Sequence, residues 1–132
     1  MIKGLAHVAI AVNKLDEALE IYERIIGLKL EKMKVIEQQK VKAALLRAGD
    51  TKIELLEPLD AESTVAKFLE KRGEGIHHIA LSVSNIEGHL SELKQKGIAL
   101  IDEKPRIGME GGRIAFIHPK STKNVLIELV EP

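Results

Sequence analysis

His7-Val8-Ala9-Ile10-Ala11-Val12 returns further along the chain as His78-Ile79-Ala80-Leu81-Ser82-Val83, and Ile53-Glu54-Leu55-Leu56-Glu57-Pro58 returns as Ile127-Glu128-Leu129-Val130-Glu131-Pro132. The chain is therefore written twice, and each copy supplies one histidine and one carboxylate at matching places. Successive side chains on a strand point to opposite faces, so parity assigns each residue a side. Val8, Ile10 and Val12 form an apolar face, while His7 shares the other with Ala9 and Ala11. Ile79, Leu81 and Val83 likewise oppose His78, Ala80 and Ser82. In the paired strands, Glu54 opposes Ile53 and Leu55, and Glu128 opposes Ile127 and Leu129.

A carboxylate in the middle of an apolar strand costs several kcal/mol to bury unless something pairs with it. A divalent cation meets that need. Two imidazoles and two carboxylates make a nitrogen and oxygen set suited to Zn, Co, Ni or Mn, and the chain has no cysteine to offer a softer site. His7, Glu54, His78 and Glu128 are therefore expected to ligate one metal ion, with positions left open for a Lewis acid role. A lone strand histidine is more often a surface residue, and a lone strand glutamate usually faces water. Their joint repetition is what favours the metal. The competing reading is an old duplication whose polar face now holds water or an organic ligand.

The same patterns predict the elements. A strand over 4–12 runs into Asn13, read as a helix cap, and Leu15, Ala18, Leu19, Tyr22, Ile25 and Ile26 follow at helical spacing until Gly27 stops them. Strands follow near 28–37, 40–48 and 51–57, with Gly49-Asp50 as a turn and Pro58 closing the module. A connecting helix over 62–72 starts at Asp60 or Ser63. The second module repeats the order, with a strand over 76–83, a helix from Ile86 to Gly97, and strands near 98–102, 112–118 and 124–131. Each half reads βαβββ. The expected fold is α+β, with two tandem modules (about 4–58 and 75–131, joined by the 62–72 helix) forming a single domain, an open eight-stranded barrel with helices outside.

Composition limits the function. With 20 Lys and Arg against 20 Asp and Glu among 132 residues, there is no basic excess to suggest nucleic acid. No apolar run suggests a membrane span. The start Met1-Ile2-Lys3-Gly4 enters a strand too soon for a signal peptide, so a cytoplasmic location is expected.

Several segments carry a resemblance. Leu5 to Val12, Ala48-Gly49-Asp50-Thr51-Lys52-Ile53-Glu54-Leu55-Leu56-Glu57-Pro58, Ser63 to Leu69, Gly75-Ile76-His77-His78-Ile79-Ala80 and Ile117-His118-Pro119-Lys120 resemble the vicinal oxygen chelate superfamily. Within it, they resemble the methylmalonyl-CoA epimerase family over nearly the whole chain. The resemblance implies a divalent metal held by His7, Glu54, His78 and Glu128, a coenzyme A thioester substrate and a homodimer. It also implies two acid/base groups, Glu37 and Glu128, the latter doubling as a ligand. An exposed strand-end glutamate is the other reading of Glu37, and a one-residue slip would put Gln38 in its place.

The ligands alone leave the reaction open, because His-Glu-His-Glu is also the set of metal-dependent glyoxalase I. The chain lacks the Asn-Trp segment looked for in that enzyme. A metal-free binding module of the same fold is the third reading. His77 alternates out of phase with His78 and is read as structural, His89 as a solvated helix residue, and His118 as a brace for the Pro119–Thr122 turn. Arg106 to Gly112, with three glycines, reads as a mobile segment that closes over the thioester.

Overall fold

The computed structural model describes residues 1–132. It divides into two compact units, His7–His77 and Met1–Ala6 with His78–Pro132. The boundary cuts through the first strand, β1 (Ile2–Ala11), so its opening residues belong with the second repeat.

In the first unit, the later part of β1 leads into helix α1 (Leu15–Leu19), strands β2 (Lys29–Ile36), β3 (Val41–Ala48) and β4 (Thr51–Pro58), and helix α2 (Thr64–Arg72). The strands lie in the order β2-β3-β4-β1, with β1 and β4 parallel and the others antiparallel. Gly49 turns β3 into β4 with a φ of 64°, which a residue without a Cβ adopts freely. The apolar face read from parity packs under α1: Val12, Leu15, Ala18, Ala44, Leu46 and Leu55 form the core, flanked by Ile10, Leu19, Tyr22 and Ile53.

Two details of this helix differ from expectation. The cap position is Lys14, and neither it nor Asn13 supplies a side-chain cap; the Asn13 amide donates to Glu74 Oε2 at 2.8 Å. Beyond Leu19, the chain widens into a π-helical turn over Glu20–Ile25, with the Ile26 amide donating to the Ile21 carbonyl five residues back. The wider turn rotates the end of the apolar stripe off the core. Ile25 and Ile26 are consequently 74% and 60% exposed. The connecting helix matches its reading: Ser63 caps α2, its hydroxyl accepting from the Val65 amide at 3.2 Å.

The second unit contains β5 (Gly75–Val83, from His78 onward), α3 (Ile86–Gln95), β6 (Arg106–Ile107), β7 (Arg113–Ile117) and β8 (Ile127–Glu131). Its strand order is β5-β8-β7-β6, and the start of β1 neighbours β5. Val83, Ile86, Leu90, Ala115, Ile117 and Leu129 form its core under α3. Asn85 caps that helix by accepting from the Gly88 amide, and Gly97 ends it.

The strand expected over 98–102 does not form. Only Leu100 bridges to Ile117, while Asp102 Oδ2 takes the Phe116 amide and Ser121 Oγ takes the Ala99 amide. Side chains thus take the Phe116 and Ala99 amides, and the backbone bonds that remain, from the Ile101 amide to the Phe116 carbonyl at 2.9 Å and from the His118 amide to the Ala99 carbonyl at 3.0 Å, frame a single bridge rather than a ladder. The pairing strand is instead β6, within the segment read as mobile. Arg106 to Arg113 is a hairpin, closed by the Gly108 amide on the Gly112 carbonyl at 2.8 Å and turned at Gly111, whose φ is 88°. The βαβββ order survives in both halves.

Candidate metal centre and active site

Register, rather than parity alone, sets each histidine beside its carboxylate. In the parallel pair β1/β4, Ala9 lies opposite Glu54, two residues beyond His7. In the parallel pair β5/β8, Ala80 lies opposite Glu128, two residues beyond His78. The duplication has preserved the pairing to the residue.

Both pairs close. His7 Nε2 lies 3.9 Å from Glu54 Oε1, with the side chains 12% and 10% exposed. His78 Nε2 lies 3.0 Å from Glu128 Oε1, at 6% for each. The small residues on the same faces, Ala9, Ala11 and Ala80, are fully buried. Donors bound about 2.1 Å from one octahedral cation stand about 3.0 Å apart when adjacent and about 4.2 Å apart when opposite. Both separations fall in that range. His7, Glu54 and His78 each present a ligand atom of the type a metal ion takes, and the donor set, two imidazole nitrogens with carboxylate oxygens, suits a borderline divalent ion. The residues present therefore fit the group.

In the second unit, the pair has an aromatic neighbour. Phe116 lies opposite Glu128 across β7/β8, and its ring meets the His78 imidazole edge-on, with centroids 5.3 Å apart at 88°. His77 turns away as its parity requires and packs edge-on against Phe68 at 5.0 Å. His118 does brace its turn, with Nδ1 accepting from the Lys120 amide at 3.1 Å. His89 lies on α3 as read, in an exposed contact in which the Met1 ammonium donates to its Nε2.

Glu37 occupies the turn Glu37–Lys40 between β2 and β3, where its carbonyl accepts from the Lys40 amide and its side chain is exposed. The strand ends at Ile36, so alternation no longer decides between Glu37 and Gln38.

Two further carboxylates, unassigned by the sequence reading, hold each module together. Glu57 Oε1 accepts from the Leu15 amide at 2.6 Å, and Glu131 Oε1 accepts from the Ile86 amide at 2.8 Å. Each is the second glutamate of the repeated Ile-Glu-Leu-X-Glu-Pro, three residues past its metal-ligand candidate and so on the opposite face. There it meets the first helical turn, whose amides lack intrahelical partners. The Ile86 amide and Arg113 hold the Glu131 carboxyl below its usual range, while Arg113 is raised by Glu87 first and Glu131 second. The repeat that exposed Glu54 and Glu128 was also the signal for this pair.

Residues 6–116 match the glyoxalase/bleomycin resistance protein/dioxygenase superfamily. Over 126 residues, 95% of this chain and 72% of its relative, the chain is 39% identical to the mitochondrial methylmalonyl-CoA epimerase of Homo sapiens. The chain belongs to the methylmalonyl-CoA epimerase family. Among solved structures, the methylmalonyl-CoA epimerase of Mycobacterium tuberculosis superposes with a TM-score of 0.94 at 43% identity, covering 99% of this chain and 89% of that one. A variant of the Streptomyces coelicolor enzyme bound to 2-nitronate-propionyl-CoA gives a TM-score of 0.94 at 35% identity, covering 99% and 95%. Family membership makes this chain an enzyme of the epimerase type, with the fold expected from its repeat. No helix is long and apolar enough to cross a membrane.

Proposed function

We propose that the protein is a metal-dependent epimerase that interconverts (2R)- and (2S)-methylmalonyl-CoA. The observation that carries this reading is the histidine–carboxylate pair repeated in the same register in both modules, in a chain of this family. On this reading, His7, Glu54, His78 and Glu128 ligate one cation of the Co, Mn, Zn or Ni type. When bound, that ion supplies the positive charge that stabilises a developing enolate oxygen.

The chain's own groups handle the proton. The hydrogen between a thioester carbonyl and a carboxylate is only weakly acidic, and inversion needs one group on each side of the carbon. Glu37 and Glu128 take these roles. One, as carboxylate, removes the proton as the C–H bond breaks; the other, as carboxylic acid, returns a proton to the opposite face, so the two exchange protonation states in each turnover. Burial of Ala9, Ala11 and Ala80 keeps the surroundings of His7 and His78 dry, while the exposed Glu37 exchanges its proton with solvent between turnovers. The same reading makes the protein cytoplasmic and a homodimer, the exposed Ile25 and Ile26 being apolar surface for a second copy to cover.

Incubating one epimer of methylmalonyl-CoA in heavy water with each divalent ion tests this. Deuterium enters the α carbon as optical purity is lost. If neither happens with any ion, the epimerase reading fails; turnover of methylglyoxal with glutathione instead would reassign the chain to glyoxalase I chemistry.

A further inference from the structure

We infer that Arg106 is a ligand-binding residue on the His78–Glu128 face, taking an anionic oxygen of the thioester, either the acyl carboxylate or a coenzyme phosphate; this rests on the reading above. Directly opposed residues on antiparallel strands point to the same face. Glu128 opposes Phe116 across β8/β7, and Arg106 opposes Ile114 across β7/β6. Ile114 and Phe116 are two residues apart on one strand, so Arg106, Ile114, Phe116, Glu128 and His78 share one side of the sheet. The opposite side is the apolar core under α3.

The side chain is also held in place. Arg106 Nε donates to Asp102 Oδ1 at 3.1 Å, and Asp102 is itself anchored by the Phe116 amide at 2.9 Å. The guanidinium carbon sits 5.5 Å from the Phe116 ring centroid, within cation–π range, and that ring touches the His78 imidazole. Two ring-steps, of 5.5 and 5.3 Å, thus link the cation to the proposed metal ligand.

Asp102 occupies only Nε. The two terminal amino groups make no protein hydrogen bond, and the side chain is 45% exposed against 17% for Asp102. A planar fork fixed at its base, with its outer edge open on the site face, is arranged to grip two oxygens of a carboxylate or phosphate. Arg106 stands on β6, the sheet edge, two strands from Glu128, and as an always-charged donor it takes ligand oxygens rather than the reacting hydrogen. It is a binding residue and not an acid or base.

The test compares parent, R106M and R106K for calorimetric affinity and for KM, using methylmalonyl-CoA and methylmalonyl-pantetheine, which lacks the nucleotide phosphates. For R106M, Kd and KM rise at least about tenfold with kcat little changed, and R106K, which keeps charge but not the fork, falls between. Loss confined to the CoA thioester identifies a phosphate; equal loss with both identifies the acyl carboxylate. Unchanged affinity for both, at parental melting temperature, overturns the inference, as does a fall in kcat alone. If the parent binds the thioesters without epimerising them, the functional reading fails while the affinity comparison still decides Arg106.

Discussion

Replacing Glu57 with alanine removes the one acceptor that the structure gives to the first amide of α1. The Leu15 residue carrying that amide is 1% exposed, so water cannot easily substitute. Neither Asn13 nor Lys14 is placed to cap in its stead. An amide left without a partner in such a place costs about 1–3 kcal/mol, and lost helix caps cost about 0.5–2 kcal/mol. About 1.5–2 kcal/mol is therefore the expected loss, which for a chain of this length corresponds to a fall in Tm of about 5–8 °C. E57Q, which keeps a neutral acceptor, should lose about half as much. Urea unfolding followed by circular dichroism measures this directly, with the midpoint falling and the m-value unchanged. If E57A melts within about 1 °C of the parent, the carboxylate does not hold the helix, and the shared role assigned to Glu57 and Glu131 is wrong.

The other predictions concern the metal site, acid stability, the base and the core. In chelator-treated protein, Co, Mn, Zn or Ni at a hundredfold excess over its Kd should add roughly 2.7 kcal/mol of stability, and His7→Ala or His78→Ala should abolish the rise in Tm. Because folding lowers the Glu131 carboxyl, its contribution is complete above the usual value of 4.5 and is lost as pH falls through the folded value. E131Q should accordingly unfold at the same pH or higher on acid titration, with a shallower dependence below pH 4.5. Glu37→Gln should lower kcat by about 10²–10⁴-fold while leaving the metal-induced rise in Tm intact; full activity would remove Glu37 from the mechanism. Leu55→Ala, at a fully buried position under α1, should cost about 2–5 kcal/mol in denaturant unfolding, and a loss below about 1 kcal/mol would refute the core assignment.

What could be read locally was read from the sequence by itself. A strand's two faces are fixed by the alternation of consecutive residues, so the placing of His7, Glu54, His78 and Glu128 away from the helix-covered faces needed no knowledge of the rest of the chain. The duplication then doubled each signal. The turn at Gly49, the helix stop at Gly97 and the outward turn of His77 were equally local, whereas Asp60 and Ser63 stood as alternative caps until the Ser63 hydroxyl was found on the Val65 amide.

Tertiary structure alone decided whatever depends on which distant group arrives. Glu57 and Glu131 became helix caps because strands far along the chain return beside α1 and α3. Residues 98–102 have strand-like composition, yet Asp102 and Ser121 claim backbone donors, and pairing passes to Arg106 and Ile107. The π-helical turn displaced Ile25 and Ile26 from the core although their spacing is helical. Periodicity is a property of neighbouring residues, whereas register, capping across the fold and the direction of Arg106 are fixed only when separate segments compete for the same hydrogen bonds and buried space.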